Sequence, residues 1–149
     1  MEPGRILDPV EVLRRAKVVA VVGASKNPEK DANRVPAYLK EAGYKIIPIN
    51  PTADEILGEK AYPSLEALPD EVAREVDVID VFRPPREALS IAEQAIKLAS
   101  RTGKRYVVWF QIGTASDEAV KRLTEAGLDV VVNRCMMAEH RENIAGAGR

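Results

Sequence analysis

The chain has 149 residues, 46% of them hydrophobic and 30% charged, and its formal net charge at pH 7 is -1. These values are typical of one soluble domain with a buried core, so we treat residues 1–149 as a single domain. The small net charge gives no general attraction to nucleic acid or to an anionic membrane. No apolar run approaches the length of a membrane span, and the first residues lack the apolar core of a signal peptide.

Cysteine and histidine occur once each, as Cys135 and His140. A single cysteine forms no internal disulfide, and this favours a cytoplasmic location. One cysteine and one histidine also exclude a Cys/His zinc site within the chain, so we predict no metal site.

Hydrophobic periodicity gives the order of the secondary structure. It predicts strands at residues 17–22, 44–49, 58–62, 77–82, 105–110 and 128–132. It predicts helices at residues 8–16, 34–42, 85–102 and 114–126, with a turn or a single helical turn at 63–69. Pro48 lies near the end of the second strand, where the hydrogen-bond ladder opens, so that strand is retained. Residues 133–149 are predicted to form a tail whose last four residues fray.

Strands that alternate with helices predict an α/β fold. We expect a Rossmann-like, doubly wound parallel sheet with right-handed crossovers, helices on both faces and the strand order 3-2-1-4-5-6. Ligands of such sheets bind outside the carboxyl ends of the strands, at the switch point beside the first strand. The loops that converge there are residues 23–34, 50–51, 82–85 and 111–114.

The apolar run at residues 18–22 leads directly into Gly23, and a helix follows after a polar loop. A strand, a glycine turn and a helix form the plan of a phosphate-binding unit, in which backbone N–H groups receive an anion. Lys26 and Arg34 lie on or beside the loop, and Arg83 follows the fourth strand. Guanidinium groups bind phosphate through paired hydrogen bonds, so these cations are candidate ligand contacts.

An NAD(P)-dependent oxidoreductase is one alternative for such a site. Its loop carries three glycines in the pattern G-x-G-x-x-G, whereas this loop has only Gly23. NAD binding also needs an acidic residue at the end of the second strand, where this chain has Asn50 and Pro51. Both absences argue against a dinucleotide. The loop also lacks the Gly-Lys-Ser/Thr of a Walker A motif.

Seven short segments, in order along the chain, carry a family resemblance: residues 21–25, 34–39, 43–51, 58–65, 76–83, 109–113 and 126–140. Together they resemble the small bacterial CoA-binding domain proteins, whose fold is shared with the N-terminal part of the succinyl-CoA synthetase alpha subunit. The resemblance covers about residues 15–140, nearly the whole chain.

The resemblance implies a coenzyme A site in the crevice at the strand ends. Gly23, Ala24 and Ser25 would hold the diphosphate of the cofactor. Asn50 and Pro51, at the exit of the second strand, would border its adenosine end.

The later loops complete the site that the resemblance implies. Phe82, Arg83 and Pro84 would flank the path of the pantetheine arm or of a phosphate. Ile112 and Gly113 would form the far wall of the crevice.

No residue is predicted to be catalytic. The synthetase carries its phosphorylated histidine in a second domain, which this chain lacks, so we do not expect the ligase reaction. His140 has no nucleophile at a recognisable spacing, and we expect it to be structural. Cys135 follows Arg134, which favours a thiolate, so it is either a packed cysteine or a partner of the CoA thiol in a mixed disulfide. Asp77 and Asp80 do not share a strand face, which argues against a carboxylate pair.

The sequence therefore predicts a protein that binds coenzyme A or an acyl-CoA without evident catalytic activity. The alternatives are the NAD(P)-dependent oxidoreductase, a subunit of an acyl-CoA ligase that acts only with a partner chain, and an interaction domain with a vestigial crevice. We expect no nucleic-acid or membrane partner, and the sequence identifies no protein partner.

Overall fold

The computed structural model describes residues 2–146. Its helices are α1 (Pro9–Arg15), α2 (Asp31–Glu41), α3 (Asp70–Glu75), α4 (Ala88–Thr102), α5 (Asp117–Glu125) and α6 (Met136–His140). Its strands are β1 (Val18–Val22), β2 (Lys45–Ile49), β3 (Glu55–Ile56), β4 (Glu59–Lys60), β5 (Val78–Val81), β6 (Val107–Phe110) and β7 (Asp129–Val132). A 3₁₀ turn, Pro85–Glu87, leads into α4, and a π-helical segment, Arg141–Ala145, continues α6.

Five strands form one parallel sheet in the order β2-β1-β5-β6-β7. Helices α3, α4 and α5 contribute to the core on one face of this sheet, and α1, α2 and α6 contribute to the core on the other. Neighbouring residues of β1 serve opposite faces, since Ala20 belongs to the first core and Val21 to the second. This arrangement confirms the predicted α/β, Rossmann-like fold.

The predicted third strand does not form as a strand of the sheet. Leu57 and Gly58 have φ values of 56° and 74°, so the chain turns there and pairs β3 with β4 in a separate antiparallel hairpin. Tyr62 alone takes the third-strand position, where its N–H donates to the Pro48 carbonyl at 3.0 Å. Pro63 follows directly and has no N–H to continue the ladder. The sheet therefore has five full strands rather than six. The predicted second strand, which contains Pro48, is confirmed as β2 and is an edge strand of this sheet.

A second single-residue bridge covers the opposite edge. Ile6 pairs with Val130 of β7, and the neighbouring backbone bonds run from Leu7 N–H to the Val130 carbonyl and from Val130 N–H to the Arg5 carbonyl. The sequence analysis missed this short N-terminal pairing. Both edges of the sheet are thus partly covered, which hinders edge-to-edge association.

Helix α2 begins three residues before the predicted start and contains Pro36. Proline has no N–H, so the carbonyl of Ala32, four residues earlier, loses its helical partner. The Ser25 N–H donates to that carbonyl at 3.2 Å. The proline therefore leaves a carbonyl free, and the hydrogen bond from Ser25 to this carbonyl holds the loop after β1 against the first turn of α2.

The predicted C-terminal tail is wrong for residues 136–145, which are helical. His140 is 8% exposed, and its Nδ1 lies 2.9 Å from the Tyr38 hydroxyl of α2. Tyr38 and Tyr44 meet the imidazole edge-on at centroid distances of 5.5 and 5.6 Å. Burial lowers the pKa of His140, so the ring is neutral at pH 7. The fraying predicted for the terminus falls mostly on residues 147–149, which lie outside the described residues.

Asp80 is fully buried in β5, between Val21 of β1 and Trp109 of β6. Its Oδ1 accepts a hydrogen bond from Gln111 Nε2 at 2.6 Å. Its Oδ2 has no partner within residues 2–146. Burial raises the pKa of Asp80 from its usual 3.8 to about 8, against the smaller opposing effect of the Gln111 hydrogen bond. The side chain is therefore a neutral acid at pH 7.

We predict that Asp80 makes the protein less stable as pH rises. Because the pKa of Asp80 is higher in the folded state, the folded chain binds more protons between the unfolded value of 3.8 and about 8, so its stability is greatest below that window and falls through it. Asp80→Asn keeps an acceptor for Gln111 and removes the titration. Urea unfolding between about pH 5 and 9 should show a flatter pH dependence for the variant than for the wild type. An equal pH dependence of the unfolding free energy in the two proteins would contradict a raised pKa of Asp80.

We also predict that the Tyr38 hydroxyl helps to hold the C-terminal helix. Tyr38→Phe removes the hydrogen bond to His140 and should cost about 1 kcal/mol of unfolding free energy. Hydrogen exchange should show faster exchange of the amides in residues 136–145. Tyr62→Phe is the matched control, because the Tyr62 hydroxyl has no hydrogen-bond partner within residues 2–146. Identical exchange in the two variants would show that the hydroxyl contributes nothing.

Candidate functional site

A cavity of about 280 Å³ lies at the carboxyl ends of β1 and β2, on the α4 side of the sheet. Eleven residues line it: Val22, Gly23, Ile49, Asn50, Pro51, Pro63, Ser64, Arg83, Glu87, Ile91 and Gln94. It lies at the switch point, because β2 and β5 flank β1 on opposite sides. A larger groove of about 670 Å³ between α4 and α5 reaches Lys104 and Arg105, before the start of β6, and so lies away from the carboxyl ends. The position of the smaller cavity makes it the candidate site.

Gly23 ends β1 with a φ of 88°, a conformation that strains any other residue. Its N–H donates to the Ile49 carbonyl at 3.1 Å. A Cβ at this position would lie 2.7 Å from Arg83 Cδ and 3.2 Å from the Phe82 carbonyl oxygen. The arginine stem thus occupies the space that a side chain would need. Substitution at Gly23 strains the fold as well as the site, so it cannot separate binding from stability.

Asn50, which follows the neighbouring strand β2, holds the loop after β1 in place through hydrogen bonds. Its Nδ2 donates to the Ala24 carbonyl at 2.9 Å. Its Oδ1 accepts from the backbone N–H groups of Thr52 and Ala53 at 2.9 and 3.0 Å. The side chain therefore holds the loop after β1 and the turn after β2 in place.

The loop has both engaged and unengaged N–H groups. Ser25 donates its N–H to Ala32, and its carbonyl accepts from Asn33 Nδ2 at 2.8 Å. Within residues 2–146, the N–H groups of Ala24 and Lys26 have no acceptor. Neither residue lines the cavity.

Arg83 is the cation of the cavity. Its Nε and Nη2 donate to the two carboxylate oxygens of Glu87 at 3.1 and 2.7 Å. This hydrogen bonding raises the pKa of Arg83 and lowers the pKa of Glu87, so both are charged at neutral pH. Lys26 is exposed, and Arg34 pairs with Asp31 at 2.5 Å on α2, outside the cavity lining.

The structure brings Gly23, Asn50, Pro51 and Arg83 together in one cavity. Eight other predicted site residues do not line it: Ala24, Ser25, Lys26, Arg34, Phe82, Pro84, Ile112 and Gly113. Phe82 packs against the core on the α2 side. Ile112 and Gly113 lie on the loop after β6. Ile112 is 68% exposed, and the Gly113 N–H donates to Asn133 Oδ1 at 3.0 Å.

Sequence reasoning missed seven residues of the lining: Val22 and Ile49 at the strand ends, and Pro63, Ser64, Glu87, Ile91 and Gln94. Glu87, Ile91 and Gln94 carry a signal in their spacing, because positions three and four apart share a helix face. Glu87 also lies four residues after Arg83. Pro63 and Ser64 directly follow Tyr62, and Tyr62 lies beside β2 because its backbone pairs with that strand.

The one cysteine and the one histidine of the chain lie away from the cavity. Within the described residues, no group of three or more histidine, cysteine, aspartate or glutamate side chains could hold a metal ion. Cys135 caps α6 and is half-buried, and His140 packs between α6 and α2. No helix in the part of the chain that the structure describes is long and apolar enough to cross a membrane.

Known proteins match both the sequence and the fold. Residues 17–141 match the family model for the CoA binding domain. Protein YneT of Bacillus subtilis is 36% identical over 130 residues, which cover 87% of this chain and 90% of YneT. A solved structure described as a hypothetical protein from Pyrococcus horikoshii is 44% identical, with a TM-score of 0.79 over 95% of this chain and 98% of that one.

A larger enzyme matches over part of its length. The ADP-forming acetate–CoA ligase II of Archaeoglobus fulgidus is 39% identical over 83 residues, which cover 54% of this chain and 12% of the ligase. The similarity to that enzyme is thus confined to a small part of it. The family model covers nearly all of this chain, and the chain therefore belongs to the CoA binding domain family, whose members are related to a segment of the ADP-forming acetate–CoA ligases.

Proposed function

We propose that this protein binds coenzyme A, or an acyl-CoA, in the switch-point cavity and carries out no reaction of its own. The observation that carries the proposal is the Arg83 guanidinium in the cavity at the end of β1. We assign the unengaged N–H groups of Ala24 and Lys26, on the loop that follows β1, as the further donors. Backbone N–H groups and a guanidinium are a suitable donor set for a diphosphate. Family membership supports the choice of coenzyme A over other diphosphates.

The size of the cavity suggests how an extended cofactor would lie. A volume of about 280 Å³ is slightly below the range of small-molecule sites, which span about 300–1,000 Å³. It would therefore take only part of coenzyme A, with the diphosphate near Gly23 and the adenosine end near Asn50 and Pro51. The pantetheine arm would run past Phe82, Arg83 and Pro84 toward Ile112 and Gly113.

The two enzymatic alternatives receive less support. For NAD(P), the end of β2 offers Asn50 in place of an acid, and this side chain is engaged with Ala24 and the following turn. For a ligase subunit, the similarity to the acetate–CoA ligase makes a partner chain the testable point. Copurification of a larger ligase chain with this protein would favour that alternative.

Isothermal titration calorimetry tests the proposal directly. We expect coenzyme A to bind more tightly than NAD or ADP. Weaker binding of dephospho-CoA would show that the 3′-phosphate is recognised, with Lys26 and Arg34 as the cations to substitute next. A folded protein that binds none of these ligands would contradict the proposed function.

We predict that filling the cavity from α4 abolishes binding while the fold is kept. Gln94 is half-buried on α4 and lines the cavity, so Gln94→Trp places a large ring in the ligand space at a helical position that tolerates it. We expect the affinity for coenzyme A to fall at least about tenfold, the effect of losing roughly 1.4 kcal/mol.

Lys97→Trp is the matched control for the Gln94 variant. Lys97 is exposed on the same helix, one turn later, and is not part of the cavity lining. Its substitution adds the same ring and should leave the affinity unchanged. If the Gln94 variant bound coenzyme A as well as the wild type does, the cofactor would have to bind elsewhere.

A further inference from the structure

The guanidinium of Arg83 already has an anionic partner in the cavity. Glu87 ends the 3₁₀ turn before α4, and both of its carboxylate oxygens accept hydrogen bonds from Arg83. Both side chains line the same cavity. The carboxylate thus holds the arginine in the place where a ligand phosphate would meet it.

The other side chains of the lining carry no charge. Its polar members are Asn50, Ser64 and Gln94, and the rest are apolar or glycine. Arg83 and Glu87 therefore cancel, and the lining has no net charge. An entering phosphate meets the attraction of the arginine and the repulsion of the neighbouring carboxylate at once.

The pair is weak enough to exchange. The side chains of Arg83 and Glu87 are 46% and 36% exposed and lie four residues apart, an arrangement that contributes little in water. A diphosphate carries two negative charges where a carboxylate carries one, and it also accepts paired hydrogen bonds from arginine. The stem of Arg83 is packed over Gly23, so exchange requires movement only of the guanidinium end.

We propose that Glu87 is a built-in competitor for the anionic ligand: it binds Arg83 in the empty site and yields the guanidinium when a phosphate enters. This inference rests on the proposed function. It gives Glu87 a role in specificity, because a ligand must supply enough phosphate charge to displace the carboxylate. Weakly charged anions are excluded, and polyphosphorylated ligands are accepted.

The test compares Glu87→Gln with Glu93→Gln in calorimetric titrations with coenzyme A and with inorganic pyrophosphate. Glutamine keeps the shape of the side chain and removes its charge. Glu93 is the matched control, because it pairs with Arg122 at 2.7 Å with similar exposure, on α4 and outside the cavity lining. Both variants change the net charge of the protein equally, so long-range attraction is the same in the two.

We expect Glu87→Gln to bind coenzyme A about two- to tenfold more tightly than the wild type, and Glu93→Gln to bind like the wild type. Pyrophosphate should show the same order. If Glu87→Gln bound coenzyme A and neither the wild type nor Glu93→Gln did, the result would also support Glu87 as a competitor that blocks the empty site. Equal or weaker binding by Glu87→Gln, when the wild type does bind, would overturn the competitor role and leave the proposed function intact. Failure of all three folded proteins to bind would overturn both.

Discussion

The packing of the Arg83 stem over Gly23 joins the fold to the site. Gly23 turns the chain at the end of β1 with a φ of 88°, and Arg83 Cδ lies 2.7 Å from where a Cβ would stand. Glycine is required twice, for the backbone conformation and for the space. The contact also fixes the arginine stem at the carboxyl end of the sheet, so one residue choice shapes the turn and places the cation.

The remaining loop geometry follows from hydrogen-bond satisfaction. Pro36 leaves a helical carbonyl without its usual donor, and the Ser25 N–H takes that place. Asn50 holds the carbonyl of Ala24 from the other side. With these partners assigned, the N–H groups of Ala24 and Lys26 have no acceptor within residues 2–146. Under the proposed function, a loop with one glycine would present an anion site that the three-glycine pattern of dinucleotide folds forms by other means.

The strands of the sheet were predictable because each has a local hydrophobic pattern in the sequence. The elements that were predicted wrongly, the third strand and the C-terminal helix, depend on tertiary partners. The apolar run of β1 and the alternation of strands with helices predicted the architecture and the order of all five full strands. The third strand was not predictable, because Leu57 adopts a left-handed conformation that nothing in the local sequence signals. Helix α6 was missed because it is held by His140 against Tyr38, a residue 102 positions away in the chain.

The candidate site divides in the same way. Residues at strand ends, such as Gly23 and Arg83, were found because parallel strands bring their carboxyl ends to one edge. Glu87 and Gln94 were missed, since their place in the cavity depends on how α4 packs on the sheet. Two buried ionisable groups lie elsewhere: Asp80 in β5 and His140 on the α2 side. What lines the cavity is one ion pair, uncharged polar groups and apolar walls, and the proposed function relies on the arginine of that pair.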